Sequence, residues 1–216
     1  MAIIPGSHGR QEDFLNAAKS SLDWILRCRY REHECLVLDT IKLNSQECVN
    51  WSFSYSTGQT ISACTALSVA LKREATSEAT MGDDSGKYLK DACQMARHAM
   101  RRSSWVDEDG TLTERGAYGK DNHEAWKNDD AVGFKAILLR SLAKLYMVLR
   151  DYDLDHELQN LLRAFVQKQF DSLQQKNTNH KGQYGPWWNG PMDTPTSHSQ
   201  LAALDVMASI HLVAEH

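Results

Sequence analysis

Two adjacent tryptophans, Trp187 and Trp188, lie between two Gly-Pro turn signals in the run QYGPWWNGP at residues 183–191. Gly and Pro at this spacing interrupt regular secondary structure, so the run is predicted to be a loop. Paired indoles on a loop either fold back onto the core or present flat apolar faces to a ligand. The second interpretation predicts an aromatic platform on which the apolar face of a sugar ring would stack.

A carboxylate followed by a cluster of aromatic residues forms the second candidate. Asp39 precedes Trp51, Phe53 and Tyr55, which come directly before a predicted helix. A carboxylate and aromatic rings together are typical of the polar and stacking wall of a carbohydrate site. The alternative is that Asp39 stabilises its own loop and that the aromatic residues belong to the core. The residues leave both interpretations open.

The third candidate is the pair Asp129 and Asp130, which follows Asn128 at the start of a predicted helix. Acidic residues at this position commonly cap free N–H groups and favour the helix dipole. Neighbouring carboxylates also do acid/base work, because proximity separates their pKa values. Adjacent side chains on a helix diverge by roughly 100°, so the two share a target only if one lies in the preceding loop. Lys135, on the next turn, is placed to pair with one of them.

No pattern for a metal or a cofactor is present. The nine histidines are scattered, and the HExxH, P-loop, GxGxxG and GxSxG motifs are absent. Cys28, His33 and Cys35 lie close in sequence but lack a fourth zinc ligand. The five cysteines are an odd number without CxxC spacing, which argues against a disulfide framework, although Cys35 and Cys48 flank one loop and could pair in a secreted chain. We therefore expect neither a metal nor a cofactor.

Composition is that of an ordinary globular protein. The 216 residues are 42% hydrophobic and 24% charged, with a net charge of −4, which predicts one domain over 1–216. Basic residues are interleaved with acidic ones, so nucleic-acid binding is not expected. The sequence has no run of 18 apolar residues, so no membrane span is expected. The apolar stretch at its start is too short for a signal peptide. The localisation stays open.

Helical periodicity dominates the chain. Apolar residues at spacings of three and four predict helices near 11–30, 57–74, 86–102, 130–150 and 154–173, and a sixth capped by Thr196 or Ser197. Strand signals are weak and short. The loops after the first, third and fifth helices are long and rich in aromatic and polar residues, and the longest, 103–128, is of a length usually found in functional or mobile loops. This alternation predicts an all-α fold of helical hairpins stacked side by side, with the elaborate loops on one rim.

Five segments in order resemble one known family. They are LDTI at 38–41, WSFSYSTG at 51–58, DDAVGFKAILLR at 129–140, GPWWNGP at 185–191 and SQLAALD at 199–205. They are similar to the D-G-I, W-x-Y-N-Q/T-G, F-K-G-I-F-x-R, G-P-x-W-x-G-P and Q-S-S-A-L-D segments of glycoside hydrolase family 76. Each segment is short, but together they cover nearly the whole chain. The match resembles the C-terminal portion of the fungal form of this family.

The resemblance implies a fold and a function. The family consists of endo-α-1,6-mannanases with an (α/α)6 toroid of six helical hairpins, usually well over 300 residues long, so this chain would supply about half of the toroid. The expected partner is mannan or a mannose oligosaccharide. The substrate-binding residues that the match implies are Asp39, Tyr55, Asp129, Asp130, Trp187 and Trp188. A half-toroid would expose apolar helix faces and is expected to self-associate.

The sequence departs from the family at several positions. Ser56 replaces the Asn of W-x-Y-N, and Ala136 replaces the Gly of F-K-G, and both replacements would alter ligand contacts. The family's catalytic Asp-Asp pair, in a D-D-x-x-W-W-like setting, has no counterpart here. Asp83 and Asp84 lie in a polar connection, and Asp129 matches a later acidic position of the family. We therefore expect this chain to lack the catalytic pair and to form half of a mannan-binding cleft, with a non-catalytic sugar-binding protein or a helical interaction protein as alternatives.

Overall fold

Six α-helices make up most of the structure that is described. The computed structural model describes residues 8–74, 84–118 and 129–214. The helices are α1 (His8–Cys28), α2 (Ser54–Glu74), α3 (Asp84–Ala99), α4 (Asp129–Asp151), α5 (His156–Lys176) and α6 (Ser197–Val213). All six predicted helices are present, with ends within a few residues of the predicted ones. Asp83 and residues 119–128 lie outside the described residues.

Strands are few and short among the described residues. β1 (Tyr30–Arg31) pairs antiparallel with β2 (Leu36–Val37), and β3 (Thr40–Ile41) pairs antiparallel with β4 (Cys48–Val49). The two hairpins fill the connection between α1 and α2. In the second hairpin Thr40 is opposite Val49 and Ile41 is opposite Cys48, which brings residues 39 and 51 together at its base. The five cysteines are free, and Cys35 and Cys48 do not pair.

The helices form two rows. α2, α4 and α6 lie side by side in a central row, and α1, α3 and α5 form an outer row, with α3 against α2 and α5 against both α4 and α6. Side-chain contacts join the starts of the central helices: the ring of Tyr55 on α2 lies 4.6 Å from that of Phe134 on α4, and Thr196 before α6 bonds Asp129 on α4. These contacts place the N-terminal ends of α2, α4 and α6 at one end of the molecule, which we call the rim. The all-α arrangement of stacked hairpins is confirmed.

α2 and α4 approach each other closely at Gly58. A Cβ atom at this position would lie 2.7 Å from the Cα of Leu138, closer than any side chain tolerates. The missing side chain therefore lets the two central helices pack backbone to backbone, and the apolar side chains on either side of the crossing are fully buried, among them Ile61, Leu138 and Leu142.

Gly58→Ala is expected to destabilise the protein by about 1–3 kcal/mol, because α2 and α4 must separate to admit the methyl group. Gly133→Ala is the matched control, since it lies in α4 with nothing within 4 Å of the added Cβ. That variant should be neutral or slightly stabilising, because alanine favours the helix over glycine. Urea unfolding monitored by circular dichroism measures both, and equal effects of the two substitutions would contradict the close approach.

The described part of the long loop before α4 packs against the rest of the protein. Val106 and Leu112 form an isolated antiparallel bridge, and Trp105, Leu112 and Glu114 are buried. The chain here folds back on itself, with Thr113 N–H bonding Trp105 O at 2.9 Å. Trp105, Val106 and residues 111–114 thus add to the core in a way that helical periodicity did not reveal.

α1 departs from its predicted packing. Its apolar spacing predicts an inward face of Phe14, Ala17, Ala18, Leu22, Ile25 and Leu26, but only Leu22 is buried, and Phe14 is 71% exposed. The reason is positional: α1 lies at one end of the double row and has α2 on one side only. Leu15, Ile25 and Leu26 are partly buried against the core, whereas Phe14 and Trp24 stay exposed in the described structure.

Candidate functional site

Asp39 lies at the base of the second hairpin, beside the start of α2. Its N–H donates to the carbonyl of Trp51 at 2.9 Å, which fixes the base of the hairpin. Its carboxylate accepts hydrogen bonds from Thr40 Oγ1 at 2.8 Å, from Ser56 Oγ at 3.1 Å and from the hydroxyl of Tyr55. Burial alone would raise the pKa of Asp39, but the three hydroxyl donors and the nearby Arg29 lower it below its usual value. Asp39 is therefore an ionised, oriented acceptor, and Tyr55 is its closest donor.

A cavity of about 390 Å³ opens beside this carboxylate. It lies between the end of α1 and the first half of α2, and its lining residues are Ile25, Arg29, Asp39, Tyr55, Ser56, Gln59, Thr60 and Ala63. Its volume is in the range of small-molecule sites. Arg29 donates to the carbonyls of Leu38 and Asp39, so it holds the loop that presents the carboxylate.

An aromatic row crosses the rim from this carboxylate towards α4. Trp51 and Phe53 have ring centroids 6.5 Å apart, Phe53 and Tyr55 are stacked at 6.0 Å, and Tyr55 lies 4.6 Å from Phe134. Trp51 is 59% exposed, whereas the other three rings are half-buried. Three rings therefore support one outer indole, and that indole offers the flat apolar surface.

Asp129 and Asp130 lie farther along the rim, at the start of α4, and point in different directions. Asp129 accepts from Thr196 Oγ1 at 2.9 Å and lies 2.7 Å from His198 Nδ1, while Asp130 Oδ1 is 3.8 Å from His198 Nε2. The imidazole of His198 thus lies between the two carboxylates. Asp130 is otherwise exposed, as expected for adjacent side chains on a helix.

The expected ion pair of Lys135 with one of these aspartates is not formed. Lys135 is fully buried instead: its Nζ donates to Val132 O at 2.8 Å and lies 5.1 Å from the ring centroid of Trp188. Position 135 lies on the face of α4 that turns into the core, so its ammonium group points away from the rim. Burial lowers the pKa of Lys135 to about 7, although the nearby Glu114 carboxylate opposes this shift.

Glu114 is a buried carboxylate near Lys135, and sequence reasoning did not identify it. Its carboxylate accepts from Ser54 N–H at 2.6 Å and from the Ser54 hydroxyl, so it caps α2 from a distant loop. Burial raises the pKa of Glu114 to about 7, and the hydrogen bonds from Ser54 and the charge of Lys135 only partly oppose this. The only local signal was an acidic residue in a long loop, and 60 residues separate it from the helix that it caps.

The structure does not support the interpretation of Trp187 and Trp188 as an exposed platform. Trp188 has no exposed surface and packs in the main core. Trp187 is also buried, packs against Ala131 and Val132, and has the guanidinium of Arg115 4.8 Å from its ring centroid. Asn177 Nδ2 bonds Gly185 O at 2.6 Å and draws the loop inward. The Gly-Pro frame marks a loop correctly, but this loop turns its indoles into the protein.

His198 is a further rim residue that sequence reasoning missed. Thr196, one of the two caps that the sequence allowed, caps α6 in a reciprocal capping box with Ser199, and this cap places His198 in the first turn beside α4. The sequence places an imidazole in the first turn of α6 and two carboxylates in the first turn of α4. Once these helices are taken as neighbours, this pattern indicates the contact of His198 with Asp129 and Asp130. Among the described residues, no group of three or more His, Cys, Asp or Glu side chains is arranged to hold a metal ion.

Paired outer and central helices, with polar and aromatic side chains at the rim where the central helices begin, are the arrangement of an α/α-toroid protein. The chain belongs to glycosyl hydrolase family 76, whose family model matches residues 6–215. No curated protein matches this chain.

Solved structures show the same fold. An inactive double-aspartate variant of the α-1,6-mannanase of Salegentibacter sp., in complex with α-1,6-mannotetrose, is similar with a TM-score of 0.72 and 25% identity, over 94% of this chain and 53% of that one. A second inactive variant, in complex with α-1,6-mannotriose, has a TM-score of 0.71, 25% identity and the same coverage. A Listeria innocua protein, at 17% identity and a TM-score of 0.64 over 95% of this chain and 51% of its own, shares the fold.

The chain spans about half the length of the solved structures that it matches. These neighbours come from bacteria, so the fungal form that the sequence motifs resemble is not represented among them. Among the described residues, none of the helices is long and apolar enough to cross a bilayer.

Proposed function

We propose that the rim of this protein binds α-1,6-linked mannose chains. The observation that carries the proposal is the ionised Asp39, which Tyr55 and Ser56 hold beside a cavity of about 390 Å³. Tyr55 also belongs to the aromatic row that ends in the exposed indole of Trp51. Pyranose rings present hydroxyl groups at their edges and apolar C–H groups on their faces, which suit a carboxylate and an indole respectively. The family and the mannotetrose complex of its neighbour support the choice of glycan.

The two ends of the rim would have different roles. Asp39 would accept hydrogen bonds from the hydroxyl groups of one mannose unit, and Trp51 would cover the face of a neighbouring unit. Asp129, held by Thr196 and His198, would provide a second acceptor near the starts of α4 and α6. Trp187 and Trp188 would support this surface from below, since both are buried.

Hydrolysis is proposed for the complete family domain rather than for these residues alone. A retaining mechanism needs a nucleophilic carboxylate and an acid/base carboxylate about 5–5.5 Å apart across an open space. Asp129 and Asp130 do not provide that space, because the ring of His198 lies between them. We propose that this chain corresponds to the C-terminal portion of a fungal-type endo-α-1,6-mannanase domain, and that the catalytic aspartate pair lies outside these 216 residues.

Incubation of the purified chain with α-1,6-mannan tests both parts of the proposal. We expect a saturable change in intrinsic tryptophan fluorescence without release of reducing ends, and no change with an α-1,4-glucan. Absence of a fluorescence change at saturating mannan, confirmed by calorimetry, would reject sugar binding and favour a helical interaction protein. Release of reducing ends that Asp129→Asn or Asp130→Asn abolishes would show that the catalytic pair is present after all.

Substitutions at the rim should weaken mannan binding without unfolding the protein. Asp39→Asn removes the charge that accepts sugar hydroxyls, and Trp51→Ala removes the stacking surface, so each should raise the dissociation constant about tenfold. Asp151→Asn, at the far end of α4, is the control for Asp39→Asn and should bind like the wild type. Calorimetric titration measures the affinities and thermal unfolding monitors the fold. Wild-type affinity in both rim variants would place the binding surface elsewhere.

A further inference from the structure

One segment of the rim, residues 51–56, is held from outside by the loop between α3 and α4. Trp105 Nε1 donates to Ser52 O at 3.2 Å, and Glu114 accepts hydrogen bonds from the N–H and the hydroxyl of Ser54. Both of these loop side chains are buried, and the N–H of Glu114 donates to the carbonyl of Trp105 at 3.1 Å. The loop therefore holds alternate residues of the segment with two side chains that are tied to each other.

The loop takes its own position from the outer helix α5. The fully buried side chain of Gln169 accepts from Leu112 N–H at 2.8 Å and donates to Gly110 O at 3.0 Å. The place of Glu114 is therefore set by α5 rather than by α2, the helix that it caps.

Glu114 has two unfavourable features that a helix cap does not need. Its φ angle is 54°, in the left-handed region that side chains with a Cβ atom rarely adopt. Its carboxyl group is also buried, with 1% of the residue exposed. Helices are usually capped by an oxygen-bearing side chain just before their first residue, where α2 has Phe53. Backbone strain and buried ionisable groups of this kind persist mostly where the surrounding structure serves a site.

The two residues that follow Ser54 orient the Asp39 carboxylate. Tyr55 donates its hydroxyl to Oδ1 of Asp39, and Ser56 Oγ donates to the same oxygen at 3.1 Å. Because these residues are consecutive in the first turn of α2, a shift of that turn would move both donors away from the carboxylate. We propose that Glu114 is a positioning residue of the rim: by holding Ser54 it fixes the turn whose hydroxyl groups orient Asp39 towards sugar hydroxyls. Glu114 itself is buried and contacts no sugar, and the sugar-binding role of Asp39 rests on the proposed function.

The pKa of Asp39 tests this positioning in the absence of sugar. Burial raises this pKa, and the hydroxyls of Tyr55 and Ser56 are among the donors that lower it. Glu114→Ala frees the first turn of α2, so it should raise the pKa of Asp39 towards its usual value. NMR titration of the Asp39 carboxyl carbon in the folded protein measures this change. An unchanged pKa of Asp39 in Glu114→Ala would overturn the proposal.

Further variants separate this role from a loss of stability. Glu114→Gln keeps an oxygen that accepts from Ser54 N–H and an amide group that donates to the Ser54 hydroxyl, so it should restore the wild-type pKa of Asp39. Leu158→Ala leaves a cavity at the start of α5, beyond the far end of α4, and should lower stability without changing that pKa. A rise as large in Leu158→Ala as in Glu114→Ala would overturn the proposal in favour of general loosening. If Glu114→Ala does not fold, Ser54→Ala, which removes only the hydroxyl half of the contact, takes its place and should raise the pKa of Asp39 in the same direction.

Mannan affinity measures the consequence for binding. Calorimetric titration should give a dissociation constant raised about fivefold by Glu114→Ala in the wild type and less than about twofold in Asp39→Asn, because both substitutions act through one carboxylate. Glu114→Gln should bind like the wild type. Equal losses in the two backgrounds would show that Glu114 acts elsewhere on the rim and would overturn the proposal. A wild-type chain that does not bind mannan would reject the proposed function instead, and the pKa of Asp39 would still decide whether Glu114 orients this carboxylate.

Discussion

Trp188→Ala should lower the free energy of unfolding by about 3–5 kcal/mol, one of the largest losses that a single substitution produces in this protein. The indole is fully buried in the main core beneath the rim, so its removal leaves a cavity that the surrounding helices cannot close. The ammonium group of Lys135, 5.1 Å from the ring centroid, also loses an aromatic face in a place that water does not reach. Chemical unfolding in urea measures the loss.

Trp188→Phe is the matched control for this substitution. It keeps an aromatic face for Lys135 and removes the indole Nε1, which has no hydrogen-bond partner among the residues that the structure describes. We therefore expect a loss well below that of Trp188→Ala. Where Trp188→Ala remains folded, its affinity for mannan should change far less than that of Trp51→Ala. The opposite ranking, with Trp188→Ala stable and unable to bind mannan, would restore the interpretation of Trp188 as a sugar contact.

The second large effect is a pH dependence of stability that comes from Glu114. Burial raises the pKa of this carboxyl from 4.5 to about 7 in the folded protein. Between these values the folded protein keeps a proton that the unfolded chain has lost, so the free energy of unfolding falls as pH rises, by about 3 kcal/mol in total. Lys135 loses its proton in the folded protein only around its own pKa of about 7, so it adds little slope over most of this range.

Glu114→Gln should remove this dependence. The amide oxygen still accepts a hydrogen bond from the Ser54 N–H group, but the side chain no longer titrates. Unfolding free energies in urea at pH 5 and pH 7 should therefore differ less in the variant than in the wild type, by about 2 kcal/mol. Glu47→Gln, in the exposed second hairpin, is the control and should keep the wild-type difference. An unchanged difference in Glu114→Gln would show that Glu114 is ionised in the folded protein over this whole range.

The helices could be predicted from local patterns. Apolar spacing of three and four identified all six, and the cap of α6 is Thr196, one of the two residues predicted for it, because a cap depends only on residues within one turn. Asp39 and Tyr55 were also placed together correctly: the hydroxyl of Tyr55 donates to the carboxylate of Asp39 beside the cavity. The motif order supported the family, which the family model confirms over residues 6–215.

Burial could not be predicted in the same way. Two tryptophans in a Gly-Pro loop look alike whether the loop turns outward or inward, and here Asn177 and Arg115 hold it inward around Trp187 and Trp188. Trp51 looked like its neighbours in sequence, yet it is the exposed ring, because the hairpin beneath it is tied to Asp39 and lifts it from the core. Phe14 fitted a buried helical face and is exposed, since no helix lies beyond α1 in the described structure.

The helices and their caps could be predicted from residues close in sequence, because they depend on contacts within a few residues. The order of the family motifs could be read from the sequence directly. Contacts across long separations assigned the roles of the side chains. Glu114 reaches Ser54 across 60 residues, and His198 reaches Asp129 across 69. Such pairs form only when helices from distant parts of the chain share one rim. The physical reason is that burial and charge pairing are properties of the packed helices together, and the energy of each side chain depends on neighbours that its own segment does not specify.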